Sequence, residues 1–352
     1  MAFAKHPKTL KWSLAGHKLE QVKTFKYLGV VFQASTKCQA HLQYVTQNAR
    51  KSALAIQSYF HQDGAQFVPA ALKLFTAKTC SKLLYGSQLG PYTNCTPLEI
   101  VQTKFLRSFL QIPRCVPNVI LRMETGMPKM EARMWFSILS FWLRLSFFST
   151  GLAHLIFIDK FNSSWKQSIS CQISLYGFSL DGLLEMGFCH ARLILKERIY
   201  DMEMQTDRSL ISKEVFLGLQ MYNTKPANYL GKITITKYCR MFTLARFNVL
   251  PSAELEGKFR GIPKEQRLCP CGSGEQESIF HILLCCLFYR DLRTCYISSL
   301  LTDFPGHTDA FYVNYLLSDQ KEEVTFKVAK FCEAAKKARQ QMVNQIMLTG
   351  NC

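Results

Sequence analysis

The chain has 352 residues, with 43 Lys plus Arg against 25 Asp plus Glu, a formal net charge of +18. At 48% hydrophobic and 19% charged residues its composition is that of a folded globular protein, which excludes a disordered chain. No short repeat or biased run occurs, which excludes collagen, coiled-coil and low-complexity architectures, and the length suffices for two or three domains.

The charge is unevenly placed. Residues 1–120 hold 15 Lys and Arg against Glu20, Asp63 and Glu99 alone, a net +12, and residues 121–352 carry the other +6. Such a bias predicts a polyanionic partner, either nucleic acid or an anionic surface. Met1 to Trp12 alternates basic and apolar residues without the apolar segment of a secretory signal. The 14 Cys are mostly scattered singly, a pattern expected of a reducing compartment with one local metal cluster. The expected location is therefore intracellular, in cytoplasm or nucleus. The most apolar stretch, Met134 to Ile158, is interrupted by Arg144 and His154, and its run before Arg144 is ten residues. A membrane span needs about 20 apolar residues, so this stretch reads as a buried helix and no membrane partner is expected.

In chain order, residues 10–33 read as short strands: Trp12 and Leu14 alternate with polar neighbours, Gly16-His17 marks a turn, and Val22 leads into Phe25 to Phe32. Gly29 lies inside that apolar stretch, where glycine permits a bulge or a close backbone approach. Leu42, Val45, Ala49, Ala53, Ile56 and Phe60 form one helical stripe, and Arg50 and Lys51 fall outside it. A second helix is expected from Pro69 to near Tyr85, with Gly86 as a left-handed cap and with Lys78 and Lys82 one turn apart on its polar side. A third opens with Thr96 as cap, Pro97 in the first turn and Glu99 completing a capping box, and projects Lys104 and Arg107 together. Taken alone these cations describe a solvated face. Their place in the acid-poor third makes Arg50, Lys51, Lys78, Lys82, Lys104 and Arg107 candidate phosphate contacts.

Glu131 to Ser149 is dense in Trp and Phe and reads as a helix packed on several sides; residues 160–235 mix helical and irregular signals. Pro251, Gly257, Gly261 and Pro263 read as a linker. The last element expected is a helix from Glu322 to Ile346, apolar along Val324, Val328, Phe331, Ala335, Ala338 and Met342, with Lys327, Lys330, Lys336, Lys337 and Arg339 making its remainder basic.

The strongest local motif is Cys269-Pro-Cys271, then His281, then Cys285-Cys286. Three thiols and an imidazole suit tetrahedral zinc, although the gap between the first two cysteines is shorter than the two to four residues usual in zinc fingers. Glu277–Asp291 reads as a helix through Ile279, Ile282, Leu283 and Leu287. A helix puts Cys285 one turn from His281, so either Cys285 or Cys286 can complete the set.

Val22-Lys-Thr-Phe-Lys-Tyr27-Leu28-Gly29-Val30 resembles the segment just after the polymerase palm in reverse transcriptases of non-LTR (LINE-type) retrotransposons. Leu84-Tyr85-Gly86 is similar to the end of that family's thumb helix, and Gln102-Thr-Lys104-Phe105-Leu-Arg107 to the next helix. Glu124-Thr-Gly126 and Phe141-Trp142-Leu-Arg144-Leu continue the pattern, and Cys269 to Arg293, with Phe288-Tyr289-Arg290-Asp291 after the last cysteine, resembles its C-terminal zinc knuckle. The order of these segments, spanning nearly the whole chain, carries the resemblance.

The resemblance implies a mainly α fold with a small N-terminal β-hairpin element at 1–35, a basic helical thumb at 36–118, a helical connector at 119–250 and a zinc-knuckle region at 251–352. It implies a primer-grip-like hairpin at Tyr27, Leu28 and Gly29, and it selects Cys286 over Cys285, so that Cys269, Cys271, His281 and Cys286 hold a structural zinc. Met1-Ala-Phe3 resembles the strand beyond the catalytic turn, and no adjacent Asp-Asp occurs anywhere. With no palm carboxylates to bind two metal ions, the chain reads as the non-catalytic C-terminal half of such an enzyme. It would grip RNA, an RNA–DNA hybrid or DNA, without a small-molecule substrate. The alternatives are a zinc-stabilised protein-interaction module and a decayed retroelement remnant.

Overall fold

Helices dominate the secondary structure, preceded by two small antiparallel hairpins. The computed structural model describes residues 11–35, 38–60, 67–89, 92, 94–148, 150, 164–211 and 225–349. Met1 to Phe3 and the far end of the apolar stretch, residues 151–158, lie outside them. The mainly α expectation with an N-terminal β element holds. Among the described residues no helix is long and apolar enough to cross a membrane.

The hairpins pair β1 (Trp12–Leu14) with β2 (His17–Leu19) and β3 (Thr24–Tyr27) with β4 (Val30–Gln33). Both connections are two residues long with positive φ at each: Ala15 at 48° and Gly16 at 83°, Leu28 at 46° and Gly29 at 80°. That is the type I′ geometry that matches the twist of paired strands. The apolar stretch 25–32 is thus two strands joined by a turn, and Gly29 sits in the turn rather than at a bulge.

Among the described residues the helices follow in order: α1 (Gln39–Phe60), α2 (Val68–Leu74), α3 (Thr96–Leu110), α4 (Asn118–Thr125), α5 (Met130–Phe148), α6 (Ser164–Leu175), α7 (Leu180–Glu185), α8 (Phe188–Ser209), α9 (Tyr229–Lys232) and α10 (Thr236–Arg246). Then come α11 (Ala253–Phe259), α12 (Arg290–Tyr296), α13 (Ser298–Leu301), α14 (Asp309–Leu317) and α15 (Glu322–Thr349). α2 runs on through a π-helical stretch, Phe75–Cys80, to Leu83, and Gly86 closes it with φ at 75°.

The chain forms two compact units: residues 1–56, 73–105 and 128–208, and residues 57–72, 106–127 and 209–352. In the first, Val45 and Ala49 of α1 are buried, and Phe75 stacks on Phe105 of α3 at 4.3 Å between ring centroids. Thr79 donates to Ser52 Oγ at 3.2 Å. His41 fastens the second hairpin to α1. Its Nδ1 accepts from Val31 N–H at 3.3 Å, which leaves Nε2–H to donate to the Tyr85 carbonyl at 2.8 Å. At the start of α3, Asn94 Oδ1 accepts from Thr96 N–H, and the Glu99 carboxylate accepts from Met130 N–H at 3.0 Å at the start of α5.

The second unit is organised around two buried arginines. Arg246 donates Nε to Glu124 Oε1 at 2.6 Å and Nη2 to Oε2 at 3.0 Å, and Nη1 reaches the Leu317 carbonyl. Burial alone would favour the neutral guanidine, but the Glu124 carboxylate outweighs it and raises the Arg246 pKa. Glu124-Thr-Gly126 accordingly has a structural meaning here: a buried ion-pair partner, then a left-handed cap at Gly126. Arg339, expected on the basic side of the last helix, is instead buried; it donates to both oxygens of Glu277 at 2.9 and 3.1 Å and to Glu256 at 2.8 Å. The expected linker at 251–263 contains a packed helix, α11, because Ser252 caps it and the buried Glu277 carboxylate accepts Ala253 N–H.

Candidate functional site

The Cys/His motif is built from two short pieces of the second unit. Leu268 and Gln276 pair as an isolated antiparallel bridge, and between them the chain turns through Gly272 and Gly274, both at positive φ. Cys269 N–H donates to the Glu275 carbonyl at 2.7 Å, so both cysteines of the Cys-Pro-Cys segment are held by a closed knuckle.

The facing piece was expected to be one helix over 277–291; it is not. His281–Cys285 is a π-helical turn, closed by Cys286 N–H donating to the His281 carbonyl at 2.8 Å, five residues back. Cys286 itself leaves the helix at φ −56° and ψ 120°. The wider turn brings residue 286, not 285, to the histidine. Cys285 is exposed and Cys286 fully buried.

The ligand atoms of Cys269, Cys271, His281 and Cys286 all lie within 4.8 Å of one another. Cys269 Sγ to Cys286 Sγ is 3.8 Å, and Cys271 Sγ to His281 Nε2 is 3.6 Å. A tetrahedral ion with bonds of about 2.3 Å to sulfur and about 2.0 Å to nitrogen requires edges of about 3.8 Å and about 3.5 Å. The donor set therefore fits a closed four-coordinate metal. Glu275 Oε2 lies 2.5 Å from His281 Nδ1, which places the proton there and turns Nε2 toward the thiols. Burial pushes the Cys269 and Cys286 thiols up. Burial acts the same way on Cys271, but hydrogen bonds with Ser273 and His281 outweigh it and lower that thiol to about 6.

The hairpin residues Tyr27, Leu28 and Gly29 fall in the first unit. Tyr27 is 59% and Leu28 75% exposed, and the turn is tied down by Tyr85, whose hydroxyl donates to the Leu28 carbonyl at 2.7 Å. A Cβ on Gly29 would stand 3.0 Å from the Tyr85 ring, the close approach its glycine permits. Arg50, Lys51, Lys78, Lys82 and Lys104 are exposed in the same unit. Among the described residues none of these five makes an ion pair. Arg107 differs. It belongs to the second unit and its fork donates to the Pro113 carbonyl at 2.8 Å, the Val116 carbonyl at 2.5 Å and Asn118 Oδ1 at 2.6 Å, so it braces the loop between α3 and α4.

Glu275, Ser273 and the Glu277–Arg339 pair were not among the expected site residues. Glu275 carries no sequence signal, since a carboxylate six residues before a histidine has no fixed geometry outside a helix. Comparison with family models, curated proteins and solved structures returns no match for this chain.

Proposed function

We propose that the protein is a non-catalytic nucleic-acid-binding protein, derived from a LINE-type reverse transcriptase, that grips RNA or an RNA–DNA duplex through phosphate contacts and carries one structural zinc. The observation that carries this reading is the set of five exposed cations on α1, α2 and α3 of the first unit, within a stretch of 120 residues that has three acids. Unpaired lysine and arginine on helix faces attract phosphate without reading bases. The hairpin anchored by Tyr85 at the end of the same basic segment supports a primer-grip-like role for Tyr27, Leu28 and Gly29. Zinc is preferred over other ions because three thiolates and an imidazole in closed tetrahedral geometry suit it and leave no open position for catalysis.

The test is binding to an RNA–DNA hybrid across a salt series. Log K should fall linearly with log salt, by roughly 0.9 per phosphate neutralised on a B-form duplex. Joint reversal of Lys78, Lys82 and Lys104 to Glu should reduce that slope by about three. Arg107→Gln should leave the slope unchanged because its fork is engaged within the chain. Affinity indifferent to salt would sink the proposal and favour the protein-interaction alternative.

A further inference from the structure

Helix α5 has two distinct faces. Met130, Met134, Ile138, Leu139, Trp142 and Leu143 are buried. Arg133, Phe136, Ser137, Ser140, Phe141 and Arg144 recur three, four, seven, eight and eleven residues apart and share another face. That second face lines a cleft of about 400 Å³ within the first unit, together with Leu84, Gln88 and, from α8, Arg192 and Tyr200.

The lining is chemically one-sided. Among the described residues it contains three guanidiniums and no carboxylate. Phe136 and Tyr200 form its aromatic wall, with ring centroids 6.2 Å apart, and the Arg192 guanidinium sits 5.2 Å from the Phe136 centroid. Ser140 Oγ is buried and has no hydrogen-bond partner among the described residues. Ser137 Oγ accepts from Gln88 Nε2 at 2.8 Å, which leaves its own proton available.

Each feature answers part of a nucleotide. Guanidinium forks match phosphate oxygens, aromatic faces stack bases of any identity, and an orphan hydroxyl suits a base edge or a ribose hydroxyl. The volume lies in the range of sites for small groups rather than for a duplex. An aliphatic ligand would leave Arg144 and Arg192 unused, and an acidic peptide would leave the aromatic wall unused. We propose that this cleft receives one unstacked nucleotide of a single-stranded nucleic acid, its phosphate on Arg144 and Arg192 and its base against Phe136 and Tyr200. The proposal rests on the nucleic-acid reading and adds to it a site for bases, which the exposed cations of α1 to α3 do not supply.

The experiment compares binding of a short uridine-rich RNA with that of an abasic strand of equal length, using the full chain. Wild type should prefer the RNA, and Phe136→Ala should lower RNA affinity by about five- to 150-fold, the range for one stacked base, with little change for the abasic strand. Arg144→Gln and Arg192→Gln should weaken both strands. Because Phe136 is half-buried, the unaltered protein is also photocrosslinked to RNA carrying 5-iodouridine, with adducts expected at Phe136 or Tyr200. Salt-dependent RNA binding with adducts confined elsewhere and neutral arginine variants would overturn the cleft while leaving the proposed function standing. Tighter binding of uridine monophosphate than of RNA would assign the cleft to a free nucleotide and overturn the strand. Failure of wild type to retain either strand would overturn both readings.

Discussion

Cys285 and Cys286 are adjacent and chemically identical, yet only Cys286 joins the cluster that could hold a metal ion. The π-helical turn decides between them, since its five-residue closure carries Cys286 to His281 while Cys285 remains exposed. Cys285→Ser should therefore keep a full equivalent of zinc, and Cys286→Ser should lose it. Full metal content in the Cys286 variant with loss in the Cys285 variant would show that a regular helical turn prevails in solution. Glu275→Gln addresses the outer partner. Removing the carboxylate that holds His281 Nδ1–H should weaken zinc affinity about 10- to 100-fold, measurable by competition with a chromophoric chelator. Arg107 and Arg339 carry the other lesson at this scale: cations placed by periodicity on a polar face are both engaged internally, one by loop carbonyls and one by buried carboxylates.

The knuckle is coupled to the helices that follow and precede it. Glu277, one residue beyond the knuckle's closing bridge, is fully buried against Arg339 of α15 and also accepts the first N–H of α11. A structural zinc can contribute on the order of 10 kcal/mol to folding its module. Arg339 is held by Glu277 and by Glu256 of α11, so loss of the buried Glu277 carboxylate loosens both α11 and α15. Chelation should therefore expose residues 265–295 first, and with them α11 and the stretch of α15 around Arg339. Hydrogen exchange before and after chelator is the measurement. Protection in α1, α3 and α5 of the first unit should persist, and loss confined to 265–295 would show that the Glu277–Arg339 link does not transmit the change.

For the molecule as a whole, the expected chemistry is binding without turnover. Nucleotide transfer by two metal ions needs carboxylates grouped on a palm, and this sequence has no adjacent Asp-Asp. The purified 352-residue chain should show no template-dependent incorporation of deoxynucleotides on a primed RNA; incorporation above background would overturn the proposal of a non-catalytic protein.

What the sequence determined by itself is what depends on local pattern. The apolar stripe of α1, with Leu42, Val45, Ala49, Ala53 and Ile56 buried, and that of α15 followed from helical periodicity. The left-handed cap at Gly86 and the three thiols and histidine of the metal cluster were equally legible, because each rests on residue types at short spacing. Tertiary structure decided the rest. Glu99 accepts from the first N–H of α5, Arg246 meets Glu124 across 122 residues, and Arg192 and Tyr200 join the second face of α5 from a different helix. In each case the partner is distant in sequence: a buried charge such as Arg246 must find its counter-charge, and a helix end or a cleft its lining, wherever the fold places one, and no local spacing records where that is.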